Sequence, residues 1–227
     1  MKNKKIFFFA ILIFCFNLSF LYAVEEFNFD VTEVEISDNG NFFRGLDRGT
    51  AITNEGNLII TADEFEYNKI TNILKAIGNV IIEDKIKNYI LESNYIIYYK
   101  EKELIISEAR TKAFIDSKYE ILTNEISLDR NLNILTSDQK TVIIDDENTQ
   151  YETDILNYSI NTNVFKGTNV RVLTNIDQEK SERENYNFKN GIFDFEKKEF
   201  VASETKIFVK KNIFNEEKND PRIYGKS

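Results

Sequence analysis

The side chains of this chain that could do chemistry are carboxylates. Glu25 with Glu26, Glu64 with Glu66, and Asp145 with Asp146 form acidic pairs, and a glycosidase uses two carboxylates held about 5 to 9 Å apart across a sugar cleft. Asp145-Asp146-Glu147-Asn148 also gathers the hard oxygen donors that calcium takes. Neither pattern singles these residues out. With 38 acidic residues in 227, such pairs are expected on any solvated face, and a polar hairpin turn accounts equally for Asp145 to Asn148. The chain has no histidine and no tryptophan, and its one cysteine, Cys15, lies in an apolar N-terminal run. That removes the usual nucleophile-base pairs and most transition-metal ligand sets. No glycine-rich phosphate loop is present, so the sequence assigns no catalytic residue, no metal and no cofactor.

The N-terminal run itself has a different meaning. Lys2, Lys4 and Lys5 precede an uncharged stretch from Ile6 to Tyr22, closed by the small residue Ala23. A basic head, an apolar middle and a small exit residue describe a secretory signal peptide over residues 1–23. Leu21 stands where a small residue is preferred, so an uncleaved membrane anchor is the alternative. Bulky Phe14 before Cys15 argues against a lipoprotein site. Without the three signal lysines, 26 basic residues face 38 acidic ones, a net charge of −12. Such a chain is repelled by nucleic acid, which is excluded as a partner.

The remaining residues point to β structure, because Ile, Val, Phe, Tyr and Thr fill the apolar positions and proline occurs once. Ile60 to Tyr67 and Ile73 to Ile82 are two apolar runs around the polar joint Asn68-Lys69-Ile70-Thr71-Asn72, the pattern of a β-hairpin. Residues equivalent to Tyr67 recur at Ile36, Tyr98, Leu128, Tyr158 and Phe195, giving steps of 31, 31, 30, 30 and 37. Ala62-Phe65-Tyr67 reappears as Ser93-Ile96-Tyr98, Thr123-Ile126-Leu128 and Thr153-Leu156-Tyr158. The odd step of three after the small residue breaks strict alternation, so a bulge or corner is expected there. Units of this length bury a continuous apolar face by stacking.

Phe27 to Ile36 reads as a first arm, Asp38-Asn39-Gly40 as its turn and Gly45 to Gly49 as a loop. Further joints fall at Lys100-Glu101-Lys102, Asp129-Arg130-Asn131 and Asn161-Thr162-Asn163, and the charged stretch Thr174 to Glu184 is a solvated insertion. Gly78-Asn79 inside an apolar strand marks a bulge or a close backbone approach. The resulting organisation is a signal peptide at 1–23, one domain at 24–212 and a charged tail or linker at 213–227. The inward pattern admits two arrangements, a closed core between two sheets or sheets splayed along one side to leave an apolar groove.

One motif adds a family to this. Ile60, Ala62, Asp63, Phe65 and Tyr67, followed after the turn by Leu74, Ala76, Gly78, Asn79, Val80 and Ile82, resembles the organic-solvent-tolerance-A-like family of periplasmic lipopolysaccharide-transport proteins. The match spans about Phe27 to Val209, although later copies carry Ala109-Arg110-Thr111 and Gln139-Lys140-Thr141 in place of Gly-Asn-Val. Within the family, Asp220-Pro221-Arg222 and the export signal most resemble the N-terminal periplasmic part of the outer-membrane assembly component, whose barrel would follow Ser227. The soluble bridge protein and the membrane-anchored component share the fold and stay open as alternatives.

The resemblance implies an all-β fold, a twisted antiparallel β-jelly-roll, V-shaped in section and stacked from hairpins of about thirty residues, with an apolar groove between two sheets. It implies a periplasmic protein associated with the outer membrane that carries lipid A acyl chains and catalyses nothing. The implied partners are lipopolysaccharide, other bridge proteins paired through edge strands, and an outer-membrane barrel with its lipoprotein plug. The groove residues so implied are Ile60, Ala62, Phe65, Tyr67, Leu74, Val80, Leu91, Ile96, Tyr98, Ile126, Leu128, Leu156, Tyr158, Phe193 and Phe195. Family members of the barrel type tie this domain down with disulfides, for which this chain has no cysteine after Cys15. A secreted adhesin-type solenoid and a carbohydrate-active β-helix are the readings from other classes.

Overall fold

The computed structural model describes residues 27–208 and 222–225, so the stretch 1–23 read as a signal peptide and most of the stretch read as a tail lie outside the described residues. The fold is all-β. In chain order the strands are β1 (Phe27–Asp30), β2 (Glu33–Ser37), β3 (Phe42–Leu46), β4 (Gly49–Thr53), β5 (Leu58–Ala62), β6 (Glu64–Asn68), β7 (Ile73–Asp84), β8 (Tyr89–Tyr99), β9 (Leu104–Ser107) and β10 (Thr111–Ile115). They continue as β11 (Tyr119–Thr123), β12 (Ile126–Asp129), β13 (Ile134–Ser137), β14 (Thr141–Ile144), β15 (Gln150–Thr153) and β16 (Ile155–Ser159). The last are β17 (Val164–Leu173), β18 (Asn185–Asp194), β19 (Glu199–Ser203), β20 (Thr205–Phe208) and β21 (Arg222–Gly225).

Antiparallel pairing arranges these strands in two layers. Sheet A runs β1-β4-β5-β7-β8-β10-β11-β14-β15-β17-β18-β20-β21. Sheet B runs β2-β3-β6-β7-β8-β9-β12-β13-β16-β17-β18-β19. Long strands β7, β8, β17 and β18 serve both sheets because each crosses from one to the other midway. Their inward side chains form one apolar core. Among the described residues the crossings lie on one flank, which makes a seam, and the hairpin tips lie on the other, which makes a mouth.

The seam explains the odd step in the sequence. Ala62, Ser93, Thr123 and Thr153 are buried where the chain changes sheets, and only a small side chain fits inside such a bend. Their hydroxyls are satisfied locally: Ser93 Oγ lies 2.9 Å from Ser107 Oγ, Thr123 Oγ1 lies 2.9 Å from Ser137 Oγ, and Thr153 Oγ1 donates to the carbonyls of Ile155 and Thr168. At one corner β7 bulges between Ile77 and Val80, with Gly78 at φ +76° and Asn79 at φ +44°. Asn79 Nδ2 donates to Asp63 Oδ2 at 2.7 Å, and Arg48 Nη1 to Asp63 Oδ1 at 2.8 Å. The same corner recurs at Asp154 and Asn169, where Asn169 (φ +50°) donates to Asp154 Oδ2 at 2.8 Å. Thr168-Asn169-Val170 is thus a structural copy of Gly78-Asn79-Val80.

Three sequence expectations change. Phe27 to Ile36 is not one arm, because the chain turns between β1 in sheet A and β2 in sheet B, and Ile36 ends up exposed. Gly45 and Gly49 lie within β3 and β4; a Cβ on Gly49 would stand 2.2 Å from the Asp30 carbonyl oxygen, so Gly49 permits close approach and Asp47-Arg48 alone make the corner. The stretch read as a linker contains β21, which pairs with β20.

At the mouth the tips stack in the sequence period. The backbone amides of Lys69, Lys100, Arg130, Ile160 and Phe195 donate to the carbonyls of Asn41, Asn72, Glu103, Asn133 and Asn163 in the preceding tip. Asn72, Glu103, Asn133 and Asn163 all adopt positive φ, which asparagine tolerates better than most residues. Among the described residues, β1 and β2 leave free edges at one end of the stack, and β19 and β21 at the other.

Alanine at Gly78 meets both a left-handed backbone and an Asp63 oxygen 2.6 Å from the new Cβ. The substitution is expected to cost about 1–3 kcal/mol, read as a lower urea midpoint with an unchanged slope.

Candidate functional site

Each interior tyrosine near the mouth must place its hydroxyl, and the tips do this by a fixed rule. Tyr67, Tyr98 and Tyr158 donate to Asn72 Oδ1, Glu103 Oε2 and Asn163 Oδ1, each at 2.8 Å and five residues on. Leu128 has no hydroxyl to place, and its unit carries Arg130 instead.

Arg130 lies in the tip between β12 and β13 of sheet B and crosses the mouth to sheet A. Its Nη2 donates to Asp84 Oδ2 at 2.9 Å, Nε to the Tyr89 hydroxyl at 3.0 Å, and Nη1 to the Tyr98 hydroxyl at 2.6 Å and to Glu103. Lys87, from the facing tip between β7 and β8, donates back to the Arg130 carbonyl. Arg130 is 7% exposed and Asp84 1%, so this ionic clasp is buried. Burial pulls the Arg130 guanidinium toward losing its proton, but Tyr89, Tyr98, Asp84 and Glu103 outweigh it and hold the charge more firmly than usual. Burial likewise pushes the Glu103 carboxyl up, and hydrogen bonds from Lys100 and Tyr98 with the Arg130 charge more than reverse it, leaving it below the ordinary glutamate value. Burial lowers the Lys87 ammonium, followed by repulsion from Arg130.

The interior is filled on the N-terminal side of this clasp. Phe27 packs edge-on against Tyr67 at 5.2 Å and Tyr98 at 5.8 Å, and Phe29 stacks on Phe43 at 4.1 Å, closing that end. On the C-terminal side a cleft of about 780 Å³ opens between the sheets. Tyr119 from β11, Tyr151 from β15 and Tyr186 and Phe188 from β18 form one wall; Phe193, Phe195 and Phe200 form the other. The rings support one another: Phe195 stacks on Tyr119 at 4.8 Å, and Phe193 on Phe165 at 5.1 Å. Gly167 and Gly191 sit opposite each other in β17 and β18. A Cβ on either would lie 2.6 Å or less from the Phe165 or Phe193 ring, so these glycines let both rings lie flat along the backbone, toward the seam, and leave the mouth side unfilled.

The cleft walls carry no charge at neutral pH. Burial, with Asp145 alongside, raises the Tyr151 phenol well above its ordinary value, and burial with the Glu184 hydrogen bond pushes Tyr186 up to about 12. The rim is acidic, with Asp145, Asp146, Glu147, Asp194, Glu196 and Glu199 against Lys118 and Lys198. Lys198 reaches across the opening to Glu147. This exposed contact is the counterpart of the Arg130 clasp, with none of its burial.

Of the residues implied to line a groove, Ile60, Ala62, Phe65, Tyr67, Leu74, Val80, Leu91, Ile96, Tyr98, Ile126, Leu128, Leu156 and Tyr158 are each at most 3% exposed within the packed interior. Phe193 and Phe195 line the cleft. Tyr119, Tyr151, Tyr186, Phe188 and Phe200 were not among the residues read from the sequence. The acidic pairs have structural occupations: Glu64 pairs with Arg44 and Glu66 with Lys75, while Asp145 accepts from the amides of Glu147 and Thr149 within its own turn. Glu25 and Glu26 lie outside the described residues. Among the described residues no group of three His, Cys, Asp or Glu side chains converges as a metal ligand set.

No family model matches the chain, and no curated protein matches it. Among solved structures it is similar to LptH from Pseudomonas aeruginosa, described as the LptA-homologous periplasmic component of the conserved lipopolysaccharide transport device. The identity is 10%, the alignment covers 75% of this chain and 94% of that one, and the TM-score is 0.27. A likeness at that level fixes no correspondence between residues.

Removing Arg130 leaves Asp84 charged in the interior, so Arg130→Met is expected to cost about 3–5 kcal/mol in chemical denaturation, with Asp84→Asn added to it recovering most of the loss. Glu103, with its lowered value, contributes stability that is present above about pH 4.3, the unfolded glutamate value, and is lost as the pH falls through its folded value. Denaturation midpoints across that acid range should therefore fall less steeply in Glu103→Gln than in the parent.

Proposed function

We propose that the chain is a lipid-shielding module of a periplasmic lipopolysaccharide-transport bridge, which holds acyl chains between its sheets and passes them on without catalysing a reaction. The observation that carries this reading is the aromatic cleft, open between the two sheets at the end of the stack where, among the described residues, β19 and β21 have free edges. An acyl chain of about a dozen methylenes exposed to water costs on the order of 10 kcal/mol, at roughly 0.8 per CH₂, and a greasy cleft removes much of that cost. The resemblance of the Ala62-Asp63 and Gly78-Asn79-Val80 corner to the organic-solvent-tolerance-A-like family and the export signal support the same reading. In this role the clasp bounds the lipid space, and the free edges accept the strands of neighbouring modules. An outer-membrane barrel with its lipoprotein plug would stand at the receiving end.

A photoreactive amino acid tests the cleft. Placed at Phe195 or Phe200 in cells that make lipopolysaccharide, it should label that lipid, and placed at Ile192 or Val201 it should not. A folded, exported protein with no labelling at Phe195 and Phe200 rejects the reading. Phe195 suits the test because a change at fully buried Ile96 or Leu128 perturbs folding before it perturbs binding.

The edges need their own measurement. Val201 on edge strand β19 is 75% exposed, and lysine on an edge opposes strand addition. Val201→Lys is expected to reduce co-purification of the adjoining module at least about fivefold, while lysine at the exposed tip residue Leu132 leaves it unchanged.

A further inference from the structure

We infer that strand β1 is a displaceable plug, whose rings occupy in the free chain a second apolar site at the N-terminal end of the stack, one that takes the same class of acyl chain as the cleft. This rests on the reading of the cleft as an acyl-chain site.

The two ends of the stack are built alike and filled differently. At the C-terminal end Phe193, Phe195 and Phe200 line open space. At the N-terminal end the inner face of sheet B carries Phe43, Phe65 and Tyr67, and two rings of β1 take the space before them. Phe27 is 1% exposed and packs edge-on against Tyr67 and Tyr98. Phe29 stacks on Phe43 and meets Phe65 edge-on at 5.9 Å. The apolar surface continues past this plug. Ile36 stands opposite Phe43 and Val34 opposite Gly45 in the ladder of β2 and β3, so both share the inner face with Phe43, yet they are 66% and 46% exposed. With β1 out of the way, Val34, Ile36, Phe43, Phe65 and Tyr67 form one wall of an open groove. Arg130 holds the Tyr98 hydroxyl behind it, so the clasp separates this groove from the cleft.

The plug is held lightly on one side and firmly at its root. Its four residues pair with β4 alone, and its other edge is free among the described residues. The contact from Asn28 Nδ2 to Asn54 Oδ1 is long, at 3.5 Å. Val31, directly after β1, is seated where Gly45 and Gly49 leave room: a Cβ on them would stand 3.0 and 2.6 Å from Val31 Cγ1. β1 can therefore swing out about Val31 while β2, β3 and β4 stay in place, and short segments held by one ladder open at the lowest cost. An acyl chain that displaces Phe27 and Phe29 covers the same apolar wall that they covered.

A reversible lock tests this. Asn28 and Ile52 face each other across β1 and β4 on the outer surface, at a Cα spacing of about 4.5 to 5.5 Å that a disulfide spans. The chain has no cysteine after Cys15 to compete. Calorimetric titration of the protein carrying Asn28→Cys and Ile52→Cys, with dodecyl maltoside below its micelle concentration, should show binding at the cleft alone when oxidised and a second molecule bound when reduced. Amides of β1 should exchange at least about tenfold faster once that second molecule is bound. Phe195→Asp, added to the pair, is expected to remove the cleft molecule in both states and to leave the other in the reduced state only. Equal, non-zero stoichiometry in the two redox states overturns the plug and leaves the cleft reading intact. No binding in either state, or binding to the oxidised protein that survives Phe195→Asp, rejects the cleft reading itself.

Discussion

A strand that passes from one sheet to another must bend, and the inside of the bend has no room for a large side chain. That constraint organises this molecule. Ala62, Ser93, Thr123 and Thr153 meet it with small side chains, and Asp63 with Asn79 and Asp154 with Asn169 hold the corners by the same hydrogen bond. Because the crossings fall on one flank, the described hairpin tips fall on the other. The molecule is therefore a two-layered stack with a closed seam, a mouth, and unpaired strands at both ends among the described residues.

Such a mouth can be closed in more than one way, and this chain uses two. Around β7, β8 and β12 it is closed by charge, with Arg130 tied to Asp84, Glu103, Tyr89 and Tyr98 below the surface. Buried ion networks add little net stability but make any single loss expensive, since the abandoned partner stays charged in the interior. At the C-terminal end the ion pair that crosses the cleft, Lys198 with Glu147, is exposed and screened by solvent. The difference confines open apolar volume to one end of the stack.

The functional reading follows from that asymmetry. A uniformly packed sandwich would offer a ligand nothing, and a stack open along its whole length would expose far more apolar surface than a soluble chain tolerates. Here the open aromatic cleft lies at one end, beside strands β19 and β21, whose edges are free among the described residues, and an acidic rim surrounds the entrance. The proposed lipid shielding and the proposed contact between modules thus fall at one end of the fold.

The all-β class, the period of about thirty residues and the corner after each small residue were legible in the sequence, because they are local: alternation, turn chemistry and a broken step of two depend on near neighbours along the chain. The hydrogen bonds of Tyr67, Tyr98 and Tyr158 to the residue five places on are local in the same way. What the pattern did not separate was interior from cleft, since Leu128 and Phe195 occupy equivalent repeat positions and both read as inward. The deciding contacts are distant. Arg130 meets Asp84 across 46 residues, and in sequence it is merely a charge in a turn. Tyr119 and Tyr151 meet Phe195 from the opposite wall only after β11, β15 and the end of β18 are aligned. Local chemistry determined the unit and its bend; which bends leave space between the sheets was decided by tertiary packing, because volume and buried charge depend on what stands opposite, and no residue carries that information alone.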